Sequence, residues 1–196
     1  ENIMEKEPTL IEQKFEDALS YFSRPDILHP TGDKPICYVN YDVEDAMEVY
    51  RMINPTLVPK AKYHGFADVR VVSLGNEIQQ YIKNHDYHQP EFWGDNDFNE
   101  KELFQSIREE ILNNNFLSTR LLSIQEEMCQ LPHPLLILKD LELLHPFDKI
   151  GRVEQIIYNQ IQIPFLVLYP GRTQGINART FLSIYPMDGS YRSKNF

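Results

Sequence analysis

The 196 residues carry a formal charge of −10 with 42% hydrophobic and 12% aromatic content, enough apolar material for one sizeable core. A pI near 5.0 opposes binding to phosphate backbones, so direct nucleic-acid binding is not expected; residues 172–194, with Arg172, Arg179, Arg192 and Lys194, are the locally basic stretch. No apolar run nears the roughly 18 residues of a membrane span, and the two cysteines, Cys37 and Cys129, lack CxxC spacing, so neither a membrane segment nor a disulfide framework is expected.

In chain order, Leu10, Ile11, Phe15, Leu19 and Phe22 form a helical stripe between Pro8-Thr9 and Pro25, which predicts an amphipathic helix within residues 1–24. The run 36-ICYVN-40 predicts a buried strand, and Val43, Ala46, Met47, Tyr50 and Ile53 recur at helical spacing behind Asp42. A second strand, 69-VRVVSL-74, leads into a short helix at 76-NEIQQYI-82. Residues 84–98 break every periodicity and predict a loop. Asn99 and Glu102 then match a capping box ahead of Leu103, Phe104, Ile107 and Ile111, and 116-FLSTRLLSIQEEM-128 predicts another helix. Residues 84–130 thus read as a helical insertion.

A strand within 135-LLILKDLELL-144 ends near Asp140, a helix follows through Ile150, Val153, Ile156, Ile157 and Ile161, and 163-IPFLVL-168 is again a strand. The β-prone 180-TFLSIY-185, stopped by Pro186, is expected at a sheet edge. Strands alternating with helices predict one α/β domain over residues 1–196, a mostly parallel open sheet of about five strands with helices on both faces. The charged opening residues lack the pattern of a secretory signal, and the cytoplasm is the expected location.

The chemistry-bearing motifs are incomplete. The strand ending at Asp140 resembles the metal-holding strand of P-loop proteins, but no GxxxxGK[ST] supplies a phosphate cradle, so the core is expected to resemble that fold without its phosphate-binding loop. In 95-DNDFN-99, Glu100 stands where a calcium loop needs glycine and Ser106 where it needs glutamate. His85 and His88 lack a third ligand at zinc spacing, Cys37 lies inside an apolar strand, Cys129 has no flagged base, and no GxSxG elbow occurs. No catalytic residue, metal ligand or cofactor is assigned. What remains is the segment after the last strand. There Tyr169, Arg172, Arg179, Tyr191 and Arg192 are candidate partner- or ligand-binding residues, with Pro170 and Gly171 expected to turn the chain out of the sheet and Gly175 to allow a second bend.

That segment, 163-IPFLVLYPGRTQGINARTFLSIYPMDGSYRS-193, resembles the C-terminal end of the BrxB family of BREX bacteriophage-defence systems. The likeness rests on a strand, the Pro170-Gly171 pair, Gly175, Arg179 with Phe181, and a terminal Tyr191-Arg192. Upstream, 135-LLILKDLELLHPFDKIGRVEQIIYNQI-161 is similar to the family's strand, "hPF" turn and helix. Between the two glycines the family usually carries an acidic or aromatic pair, where this chain has Arg172, Thr173 and Gln174. The resemblance implies a non-enzymatic partner of a PglZ-like, alkaline-phosphatase-superfamily protein and, through it, of other BREX components; it implies no catalytic residue. The alternative is a nucleotide- or metal-binding regulatory enzyme whose site lies at strand ends near Asp140, Tyr169 and Arg172.

Overall fold

The computed structural model describes residues 8–24, 34–85, 100–174, 178–181 and 193–196. Helix α1 (Leu10–Phe22) starts at Thr9, whose hydroxyl accepts from the Glu12 N–H while the Glu12 carboxylate accepts from the Thr9 N–H. Two otherwise orphaned donors are thereby satisfied. Its buried side is Phe15, Ala18, Leu19 and Phe22, and Leu10, assigned to that stripe by spacing alone, is 77% exposed.

Strand β1 (Ile36–Tyr41) leads through a 3₁₀ turn (Val43–Asp45) into α2 (Ala46–Met52), a π-helical turn (Ile53–Leu57) and α3 (Val58–Tyr63). The buried line is Val49, Ile53, Leu57 and Ala61, while Val43 and Met47 are exposed. Pro55 lies inside the π turn, where the widened ladder accommodates a residue without an N–H. Strand β2 (Asp68–Ser73) passes directly into α4 (Leu74–Asn84), capped by Ser73 Oγ, which accepts from Asn76 N at 3.1 Å. Next come α5 (Glu100–Asn113), α6 (Phe116–Met128) and β3 (Pro134–Lys139). After these, α7 (Leu141–Leu144) and α8 (Ile150–Ile157) lead to β4 (Phe165–Gln174), β5 (Ala178–Phe181) and β6 (Lys194–Asn195).

The sheet order is β2-β3-β4-β1-β6, with all of these neighbours parallel, and β5 pairs antiparallel with the outer half of β4. The expected α/β class, parallel sheet and helices on both faces are present. One face packs Tyr38, Leu136, Leu138, Phe165, Val167 and Tyr169 against α4 to α8. The other packs Cys37, Val39, Leu135, Ile137, Leu166 and Leu168 against α1, α2 and α3. Alternate residues of β1, β3 and β4 therefore face opposite layers, which is why those strands read as continuous apolar runs.

One expectation changes at the end of β4. Pro170 and Gly171 do not turn the chain out of the sheet: the strand runs through both, with Pro170 in register with Tyr41 and Gly171 with Phe181. Proline is tolerated there because β1's ladder ends at Tyr41. The strand expected at a sheet edge in 180–185 begins at Ala178 and pairs with β4 alone among the described residues, and the strand beside β1 is β6, with Cys37 opposite Lys194 and Tyr38 opposite Asn195. Of the loop predicted at 84–98, Asn84 is the last residue of α4; residues 86–98, with His88 and the 95–99 segment, and Asn99, Gly175, Tyr191 and Arg192 lie outside the described residues. No described helix is long and apolar enough to cross a membrane.

Candidate functional site at the strand carboxyl ends

Because β1 to β4 are parallel, their carboxyl ends share one edge of the sheet. The connection after β1 crosses on the α2–α3 face and the connection after β3 on the opposite face, and open α/β sheets bind ligands outside the carboxyl ends of their strands. A cleft of about 450 Å³ lies here, between the first turns of α1, the end of β1, the start of α2, and Gly171 and Arg172 of β4.

Three of its charged groups, Lys14, Asp42 and Arg172, are held by hydrogen bonds within the protein. Arg172 presents its guanidinium edge to Asp42, with Nε 2.7 Å from Oδ1 and Nη2 3.3 Å from Oδ2. That hydrogen bond holds the Asp42 carboxyl below the usual aspartate range and raises Arg172 in turn. Lys14 reaches from α1 and donates to the Asn40 carbonyl at 2.6 Å. Burial pushes its ammonium pKa down, against the pull of Asp42. Asp45 and Glu48 complete an acidic rim. The Asn40 side chain is 3% exposed; its amide nitrogen donates to the Phe196 carbonyl at 3.2 Å, and its Oδ1 is buried without a hydrogen bond.

A second constellation joins β1, α2 and α7 at the same edge. Tyr41 Oη donates to Tyr50 Oη at 3.2 Å, and Tyr50 Oη donates to Glu142 Oε1 at 2.5 Å. Burial above all raises both phenols well above the ordinary tyrosine range; the Glu142 carboxylate adds to it in both, while the bond to Tyr50 works against it in Tyr41 and the neighbouring Tyr41 adds to it in Tyr50. Lys139 Nζ stands 5.6 Å from the Tyr50 ring centroid and 3.6 Å from the Asp140 carboxylate. Asp140 itself adopts φ 61°, a left-handed conformation that Asp tolerates better than most residues. It ends β3, as the sequence suggests, and faces a lysine of its own strand.

Of the candidate residues, Tyr169 is 1% exposed and packs edge-on against Tyr38, ring centroids 5.8 Å apart; a partner cannot reach its ring. Pro170 and Gly171 are buried, and Arg172 stands at the surface. Arg179 lies on β5 opposite Thr173. The described end of the tail is built into the fold: Ser193 Oγ donates to Glu154 at 2.9 Å, and Phe196 exchanges backbone hydrogen bonds with Tyr38 and Asn40. Cys37 is buried and Cys129 exposed, and neither is in a disulfide. His85 bonds Glu110 at 2.7 Å, and no group of three metal-ligating side chains occurs among the described residues.

Lys14, Asn40, Asp42, Tyr50 and Glu142 were not singled out by motif. The available signal was position: Asp42 and Glu142 lie within three residues of the carboxyl ends of β1 and β3, where such sheets place polar work. Comparison of the chain with family models, with curated proteins and with solved structures found no match.

Proposed function

We propose that this chain is a non-enzymatic interaction component of a BREX-type phage-defence complex, with a PglZ-like protein as its partner. The observation that carries the reading is the pairing at the strand ends. Arg172 is committed to Asp42, Tyr50 to Glu142, and Lys14 to a backbone carbonyl, an arrangement that fixes a surface rather than activates a nucleophile. The BrxB-like layout of residues 163–193 supports the same reading. Tyrosine and arginine are favoured anchors of such surfaces.

The test is co-expression with a PglZ-like protein followed by affinity purification. A stoichiometric complex that weakens at least about tenfold in Arg172→Glu or Arg179→Glu is expected, since truncating a central arginine anchor commonly exceeds 1.4 kcal/mol. Absence of any complex with the unaltered chain would remove the reading.

A second reading, a nucleotide- or metal-binding regulator, is favoured by one observation, the cleft of about 450 Å³ beside Lys14 and Asp42, which is large enough for a small ligand. Thermal shift with nucleotides and divalent metals separates the two. A ligand at one hundred times its Kd stabilises by about 2.7 kcal/mol, and a flat response across the panel excludes this alternative.

A further inference from the structure

On the sheet face opposite α1, the turn after α7 sets Pro146 and Phe147 against α5 and leaves a groove of about 450 Å³. Its floor is aromatic. The rings of Phe104 and Phe147 stand 5.1 Å apart, and Phe104 remains 42% exposed on a helix that buries Ile107 and Ile111. Its walls are basic. Arg152 is fixed by the Leu112 carbonyl at 2.8 Å, Asn115 Oδ1 at 2.6 Å and Asp148 Oδ2 at 3.1 Å. Arg108 and Lys149 line the same groove, both exposed, and neither takes part in an ion pair among the described residues. Three cations thus face one carboxylate, that of Asp148, in a chain whose net charge is −10.

We infer that this groove is a docking site for an acidic segment of a partner protein: one apolar side chain seats on Phe104 and Phe147, and flanking carboxylates meet Arg108 and Lys149. An aromatic seat that excludes water, ringed by charge, is the usual anatomy of a binding hot spot. Guanidinium–carboxylate bonds made there are charge-assisted. A short acidic segment fits better than nucleic acid, because a long polyanion would also meet the repulsion of the acidic remainder of the chain. The site is distinct from the strand-end cleft and does not depend on the proposed defence assembly.

Fluorescence anisotropy on the isolated full chain tests it. The probes are labelled peptides of about twelve residues in which one leucine, phenylalanine or tryptophan is flanked by aspartates and glutamates. Expected is saturable binding that weakens about tenfold or more as salt rises well past the point where the Debye length is about 8 Å. A loss of similar size is expected in the double variant Arg108→Glu/Lys149→Glu and in Phe104→Ala, all at exposed positions, with far-UV circular dichroism and urea midpoints checked alongside. Absence of saturable binding, or binding that survives the charge reversal, overturns the inference. So does equal or tighter binding of an oligothymidylate in the same assay. No other component is present, so failure here leaves the co-purification result to stand or fall by itself.

Discussion

Tyr38 donates its phenolic proton to Glu154 at 2.5 Å, joining the centre of β1 to helix α8 across 116 residues of sequence. Glu154 is 3% exposed, and its second oxygen accepts from Ser193. A buried carboxylate persists only where donors replace its water, so this pair makes the last residues of the chain a condition of the core.

Tyr38→Phe should lower stability by about 1–3 kcal/mol in urea unfolding, because it takes a donor away from a buried carboxylate rather than deleting a bond at the surface. Ending the chain before Ser193 should be at least as damaging. It removes the Ser193 donor and uncovers the edge of β1, where Asn40 N–H and the Tyr38 carbonyl are bonded to Phe196. An unchanged unfolding midpoint in both would show that Glu154 is satisfied independently. Tail deletion is consequently a poor test of partner binding, and point substitutions are preferable.

Gly75 is packed so closely that a Cβ there would stand 2.7 Å from both Cβ and Cδ1 of Leu143. Gly75→Ala should cost about 1–3 kcal/mol through overpacking between α4 and α7. Leu143→Ala should rescue it only in part, since the Cβ contact stays. A stabilised Gly75→Ala, as expected from helix propensity alone, would refute the contact.

Tyr41 and Tyr50 predict a loss of stability in alkali. Both folded pKa values are raised above the ordinary 10.0, so their contribution is fully present below that value and is lost as pH rises through the folded values. Tyrosinate absorbance should show these phenols ionising only together with unfolding, and Tyr41→Phe/Tyr50→Phe should unfold at higher pH than the parent. Ionisation of every tyrosine near pH 10 in a still-folded protein would contradict the buried relay.

At the cleft, Arg172→Ala should raise the Asp42 titration back toward 3.8, measurable by carboxyl-carbon NMR. The folded Asp42 pKa is depressed, so the pair stabilises above the ordinary aspartate value and that contribution disappears as pH falls through the folded one. The stability change itself should be slight, because Arg172 is 68% and Asp42 44% exposed and solvent screens the pair. An unmoved titration would mean that the two side chains do not meet in solution.

Much of the fold is legible in the chain itself. The apolar runs at β1, β3 and β4 specify strands covered on both faces, and Thr9 with Glu12 specifies where α1 starts, because these signals act over neighbouring residues. The helix through Pro55 is less legible, since proline there is tolerated only by a π turn stabilised through the burial of Ile53 and Leu57. The tail is less legible again. Lys194 and Asn195 form two residues of strand whose pairing with β1 spans the length of the domain, and a segment so short carries no periodicity to read.

What the sequence by itself determined is the α/β class, the parallel sheet and the presence of arginines beyond the last long strand, all consequences of local pattern. The tertiary structure alone decided which polar groups meet. Arg172 found Asp42 at a distance of 130 positions, Tyr50 found Glu142 at 92, and Tyr38 found Glu154 at 116. Such partners are selected by strand order and by the need of each desolvated group for a complementary one, and neither is written in the spacing of residues along the chain.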